Sequence, residues 1–116
     1  MGTPVLVLIS ADPRTSHRAN EALRIALGIL AGENEVGIVL RDKAVTLLEE
    51  DTDDLVDGDD IAKHLSTMVK LGQAFHVEER ALPAIAPHGR GLILIPVSPA
   101  EIADLMARSD RVLVFQ

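Results

Sequence analysis

The sequence predicts an α/β fold, a single doubly wound domain over residues 1–116 with a mainly parallel five-stranded sheet and helices on both faces. Three observations carry that expectation. Short apolar runs alternate with amphipathic stretches in the order β-α-β-α-α-β-loop-β-α-β, which is the pattern of parallel strands joined by helical crossovers. The first run, Val5 to Ile9, is continuously apolar, as a strand covered on both faces must be. The length of 116 residues, 47% of them hydrophobic, fits one core, and a second would be cramped.

Each element has its own local signal. Pro4 to Ser10 reads as the first strand, and Asp12-Pro13 marks a turn after it. From Ser16 a helix is expected, with Ala19, Ala22, Leu23, Ala26, Leu27, Ile29 and Leu30 on its apolar face and Gly32 as its stop. Glu35 to Arg41 is the second strand. Asp42 then caps a short helix carrying Ala44, Val45, Leu47 and Leu48. Ile61, Leu65, Met68, Val69 and Leu71 mark a further helix closed by Gly72, and Gln73 to Val77 a weaker third strand. Glu78 to Gly89 is irregular or briefly helical, broken by Pro83, Pro87 and Gly89. Leu92 to Val97 is the fourth strand. Ser98-Pro99 opens the next helix, with Glu101 completing a capping box. Arg111 to Phe115 is the last strand.

Charge and composition exclude several functions. Eight acids and no base lie between Glu49 and Asp60, leaving ten acids against eleven bases elsewhere in a chain of net charge −7. Such a block favours a solvated loop over a packed element. It fails the EF-hand pattern, because a loop starting at Asp53 has Leu55 third and His64 twelfth. Asp59 and Asp60 instead suit the start of the following helix. Phe75 and Phe115 are the only aromatics, so an acidic chain has neither a phosphate-neutralising surface nor a base-stacking platform for nucleic acid. The longest apolar stretch is far too short to cross a bilayer and follows no basic segment. A cytoplasmic protein without a membrane partner is expected. There is no cysteine, which removes disulfides, thiolate metal sites and thiol nucleophiles.

In a parallel sheet the carboxyl ends of the strands gather on one rim, and that rim is where such sheets bind ligands. Here it carries Ser10 to Ser16, Arg41 to Lys43 and Val77 to Gly89. The first loop, with Ser10, Asp12, Arg14, Ser16 and Arg18, has the groups to hold an anion beside a helix N-terminus. It is neither a Walker loop nor a dinucleotide fingerprint, since no glycine occurs between Gly2 and Gly28. A capped helix with solvated arginines explains the same residues. Ser16 and His17 are adjacent, hence about 100° apart on a helix and badly placed for proton transfer. No histidine spacing suggests a metal site, and none is expected; His64, four residues after Asp60, pairs with a side chain more readily than with an ion. The loop after the third strand offers Glu78, Glu79, Arg80 and His88 for a ligand. Its Leu82, Pro83, Ile85 and Pro87 offer an apolar surface for another subunit.

The order of elements and several motifs together resemble the DsrE/DsrF-like sulfur-relay family, whose members include the TusB, TusC and TusD proteins. The resemblance spans nearly the whole chain. It rests on a first strand ending in Ser10, the turn Asp12-Pro13 and the helix start Ser16-x-Arg18-Ala19-x-x-Ala22-Leu23. Further marks are Asp42-x-Ala44-Val45-x-Leu47-Leu48, the Leu71-Gly72 helix end and the closing Ser109 to Phe115. The resemblance implies a DsrE-like fold and trimers or hexamers, some built from homologous chains. In the family's catalytic members a cysteine in the loop after the third strand carries a persulfide. Here that loop, Glu78 to His88, has no cysteine, and a persulfide cannot form without a thiolate.

Two functional expectations follow. The first is a non-catalytic, cofactor-free, DsrE-like interaction subunit, assembled with itself or with homologues and linked to sulfur relay. The second is a small-ligand or anion-binding protein using the rim loops, with Ser10, Asp12, Arg14, Ser16, Arg18, Glu79 and His88 as ligand-binding residues. Acid–base catalysis by His88 or Glu79 at the same rim is a third, weaker alternative.

Overall fold

The computed structural model describes residues 4–49, 51–84 and 91–116. It contains one five-stranded sheet in the order β4-β3-β2-β1-β5, formed by β1 (Val5–Ile9), β2 (Val36–Leu40), β3 (Ala74–Glu78), β4 (Ile93–Val97) and β5 (Arg111–Phe115). Every neighbouring pair is parallel. The helices are α1 (Arg18–Ala31), α2 (Gly58–Lys70) and α3 (Pro99–Arg108), with 3-10 helices at Asp42–Leu48 and Glu79–Ala84. The α/β, doubly wound, five-stranded expectation holds. No described helix is long and apolar enough to cross a membrane.

Alternation along each strand divides the side chains between two faces. On the first face Val7, Ile9, Ile38, Leu40, Phe75 and Val77 pack with Ala22, Leu23 and Ala26 of α1 and Ile61, Leu65 and Met68 of α2. Ala44, Val45, Leu47 and Leu48 of the first 3-10 helix join that core, fully buried. On the second face the core is Leu6, Leu8, Val39, Val97 and Ile102, with Leu105 and Val112 against it. Only α3 supplies its cover among the described helices. Exposed on that face are Ile93 and Ile95 on β4, Val114 on β5 and Met106 on α3.

Caps and turns set the boundaries. Ser98 accepts from the Glu101 amide at 3.1 Å while Glu101 accepts from the Ser98 amide at 3.0 Å, so the expected capping box closes α3 at its start. Gly72 lies at φ +71 just beyond α2, a left-handed turn that a glycine makes without steric cost. α1 stops at Gly32 as expected, but the left-handed turn falls one residue later. Gly32 has an ordinary φ of −82 and Glu33 takes the left-handed turn at φ +64. The amide of Asn34 reaches back to the Ile29 carbonyl there. The glycine sits one residue before the position that reverses the chain. At the start of β3, the Gln73 side-chain amide donates to the carbonyls of Val36 and Ala74, tying β3 to β2.

Two further readings are corrected. The acidic segment is not simply a solvated loop. Its described carboxylates, Glu49 apart, are exposed, yet Thr52 and Leu55 are buried and Leu55 belongs to the first-face core. The Val56 amide donates to the Pro13 carbonyl at 2.7 Å, and the Thr52 hydroxyl to the Gly58 carbonyl at 3.1 Å. Backbone hydrogen bonds and one leucine pin the segment while its charges stay in water. The apolar surface expected of the loop after β3 is corrected at Leu82 alone, which packs inward, half-buried against the first-face core; Ile85 and Pro87 lie outside the described residues.

Candidate functional site

The carboxyl ends of β1, β2, β3 and β4 lie along one rim because all four strands run parallel. A cavity of about 890 Å³ opens there. Each of the four strands contributes to it. Asp12 and Arg14 follow β1; Arg41, Asp42, Lys43, Val45 and Thr46 follow β2; Glu78 ends β3, with Arg80 and Ala81 in the turn beyond it; and Pro99 follows β4. Four cations, Arg14, Arg41, Lys43 and Arg80, thus meet three carboxylates, Asp12, Asp42 and Glu78. A chain of net charge −7 places four of its eleven bases here.

Local chemistry explains how these side chains are held. Asp12 is committed to its own turn: its carboxylate accepts from the Arg14 amide at 2.9 Å, and its carbonyl accepts from the Ser16 amide at 3.0 Å. Arg14 is thereby aimed across the rim, 3.6 Å from Glu49. Arg41 directly follows β2 and lies 3.8 Å from Asp42 through its Nε. That separation is an ion pair and too long for a hydrogen bond; the Nε is shielded from solvent and has no hydrogen-bond partner among the described residues. Asp42 takes a left-handed backbone, φ +53, so the chain turns sharply from the strand into the 3-10 helix. Thr46, only 6% exposed, donates to the Lys43 carbonyl at 2.8 Å. Lys43 and Arg80 make no ion pair among the described residues.

The residues expected to bind a ligand separate into groups. Asp12 and Arg14 line the cavity. Ser10 is placed at the end of β1, its amide donating to the Phe115 carbonyl at 2.9 Å. Ser16 serves a turn, its hydroxyl accepting from the Arg18 amide at 3.1 Å, and the Arg18 side chain is exposed outside the cavity. Glu79 is exposed and is not among the lining residues, whereas its neighbours Glu78 and Arg80 are. His88 lies outside the described residues. Asp42, expected on the rim as a helix cap, lines the cavity instead and makes no capping hydrogen bond, Arg41 holding the cap position. Neither Asp42 nor Thr46 was expected to bind a ligand. Their only signal was position, directly after a strand that points at the rim.

The three described histidines, His17, His64 and His76, do not line the cavity. His17 is exposed, 3.9 Å from Glu21 one turn along α1. His64 on α2 forms no hydrogen bond through its shielded Nδ1 among the described residues, so the expected pairing with Asp60 is electrostatic only. Burial pulls its pKa below the ordinary histidine value, Asp60 opposes that shift, and Arg24 on α1 adds to it. His76 lies on the second face between Val39 and Ile95, its Nδ1 shielded and unpartnered among the described residues. Among the described residues no cluster of three or more His, Asp or Glu side chains could hold a metal ion.

Comparison with known proteins places this geometry. No curated protein matches the chain in sequence. The crystal structure of the ychN protein from E. coli superposes with a TM-score of 0.79 at 18% identity, covering 99% of this chain and 100% of that one. At that identity the likeness speaks for the fold. A family model described as the DsrE/DsrF-like family matches residues 4–115, and the chain therefore belongs to the DsrE/DsrF-like family.

Proposed function

We propose that this protein is a non-catalytic, cytoplasmic member of its family, an interaction subunit that assembles with itself or with homologous chains in intracellular sulfur relay. The observation that carries the reading is the half-covered second face of the sheet. Ile93, at 48% exposure, and Ile95, at 40%, stand out from an edge strand on one side of α3, with Val114 on β5 on the other. Apolar side chains gathered on one face of a small protein favour burial against another chain. His76 next to Ile95 adds a shielded nitrogen without a partner among the described residues, and a second chain could satisfy it. Pro96 lies in the same strand, where it removes one backbone donor from the free edge. Joining through the face therefore suits this protein better than extending the sheet through β4.

The chain carries no cysteine, so it has no thiolate to accept sulfur. Its part in a relay is to hold a partner. Light scattering at micromolar concentration should show a trimer or hexamer, or a mixed assembly when a cysteine-bearing homologue is co-expressed. A persistent 12.5 kDa monomer in both conditions would sink the reading. Incubation with a cysteine desulfurase and cysteine should leave the mass unchanged. A stable gain of one sulfur atom would overturn the non-catalytic assignment.

A further inference from the structure

We infer that the rim cavity binds a small, non-aromatic organic molecule bearing an oxyanion group, a carboxylate, phosphate or sulfonate, and that Arg41, Lys43 and Arg80 receive it. The inference is independent of the assembly reading, which rests on Ile93, Ile95 and Val114, none of which lines the cavity.

Size is the first consideration. A cavity of about 890 Å³ falls in the range of small-molecule sites and is far larger than a lone ion requires. Charge is the second. The lining has one more cation than carboxylate, although the chain as a whole is strongly acidic. The chain as a whole repels an anion, which meets a local concentration of cations where those side chains converge. The third consideration is which charges are already spent. Arg14 has Glu49 beside it and Asp12 is held by its own turn. Lys43 and Arg80 have no ion-pair partner among the described residues. The Arg41 Nε donor is out of solvent, with only a distant carboxylate. A shielded donor without an acceptor is costly, and a ligand oxygen would relieve it.

The remaining lining limits the body of the ligand. Val45, Ala81 and Pro99 give it apolar walls, and Thr46 has a buried hydroxyl whose proton is already given to a carbonyl. That oxygen accepts a hydrogen bond, so a ligand hydroxyl suits it. Neither aromatic residue lines the cavity, which disfavours a nucleobase because nothing is there to stack on. A divalent cation is disfavoured as well, since no metal-ligating cluster occurs among the described residues.

The test is an NMR titration of the full chain with succinate, glycerol 3-phosphate and isethionate as separate probes, and with glycerol and inorganic phosphate for comparison. At least one organic anion should give saturable shifts centred on Lys43, Thr46 and Arg80, weakening as salt is added. The double variant Lys43→Ala with Arg80→Ala should lower its affinity at least about tenfold, as the loss of a charge-assisted contact implies. Arg80→Lys should recover part of it, and Lys70→Ala, on α2, should change nothing. The inference fails if no organic anion saturates at millimolar concentration, or if the double variant binds as well as the parent. It fails equally if glycerol shifts the same residues, or if inorganic phosphate binds as tightly as every organic anion. Because both substituted side chains are exposed, the variants should fold, and their amide spectra report on that directly.

Discussion

The two faces of the sheet share every strand and differ in what covers them. The first meets α1, α2 and a 3-10 helix, and Val7, Ile9, Ile38, Leu40, Phe75 and Val77 are fully buried beneath them. The second meets α3 alone, ten residues long, and is closed over Leu6, Leu8 and Val39 in the middle and over Val97 at the end of β4. The difference arises from the path of the chain. Passing from β1 to β4, it steps outward along one side of the sheet and leaves its helices on the first face. It then returns once, from β4 to β5 at the far edge, and that single crossing must cover the second face. One helix is about 10 Å wide, whereas five strands spaced about 4.8 Å apart are roughly twice that. The outer strands stay partly bare.

Mutation can break this comparison. The largest effect belongs to the first face: Phe75→Ala, in a fully buried position, should cost about 4 kcal/mol in chemical denaturation. Gly58→Ala should come next, at about 2–3 kcal/mol, because a Cβ there would collide with the Thr52 backbone carbonyl, a strain that α2 and the acidic segment would have to absorb. On the second face Ile102→Ala, at 3% exposure, should cost about 2 kcal/mol. Equal losses at Phe75 and Ile102 would mean that the faces are equally well packed. Replacing Ile93 and Ile95 with Ser should change the stability of an isolated protomer by no more than about 0.5 kcal/mol each, while light scattering shows the assembly falling apart. A large loss of protomer stability would instead make those residues core.

The smallest effect is a pH dependence. The folded pKa of His64 is lowered, chiefly by burial, so between that value and its ordinary one the unfolded chain holds more proton than the folded chain. Stability contributed by the neutral imidazole is therefore fully present above the ordinary histidine pKa of about 6.5 and is lost as pH falls through the folded value. Thermal melts should show a shallow decline over that window, and His64→Gln should remove that part of it. An unchanged slope in the variant would assign the decline to other groups.

Part of the rim site was legible beforehand. Any parallel strand brings its following loop to the rim, so Asp12, Arg14 and the segment from Arg41 to Lys43 could be placed there from element order alone. Which neighbouring side chains face inward could not. Arg80 lines the cavity and Glu79 does not; the sequence allows a brief helix there, but its start at Glu79 is what the structure adds. Thr46 reads as one polar residue within an apolar run; its burial follows from packing of the whole 3-10 helix against the first-face core.

What the amino-acid order settled by itself is local. The capping box at Ser98, the glycine turn at Gly72 and the apolar runs of β1 and β5 depend on residues a few positions apart. So did the exclusion of thiol chemistry, which needs only an inventory. The order β4-β3-β2-β1-β5 decided everything that depends on distant residues. It brought Arg14, Arg41 and Arg80 to one cavity across as many as 66 positions of chain, and it left Ile93 and Ile95 on an outer strand. An apolar run is equally apolar in the middle of a sheet or at its border. Only the number of covering neighbours determines whether its side chains are buried or left facing water.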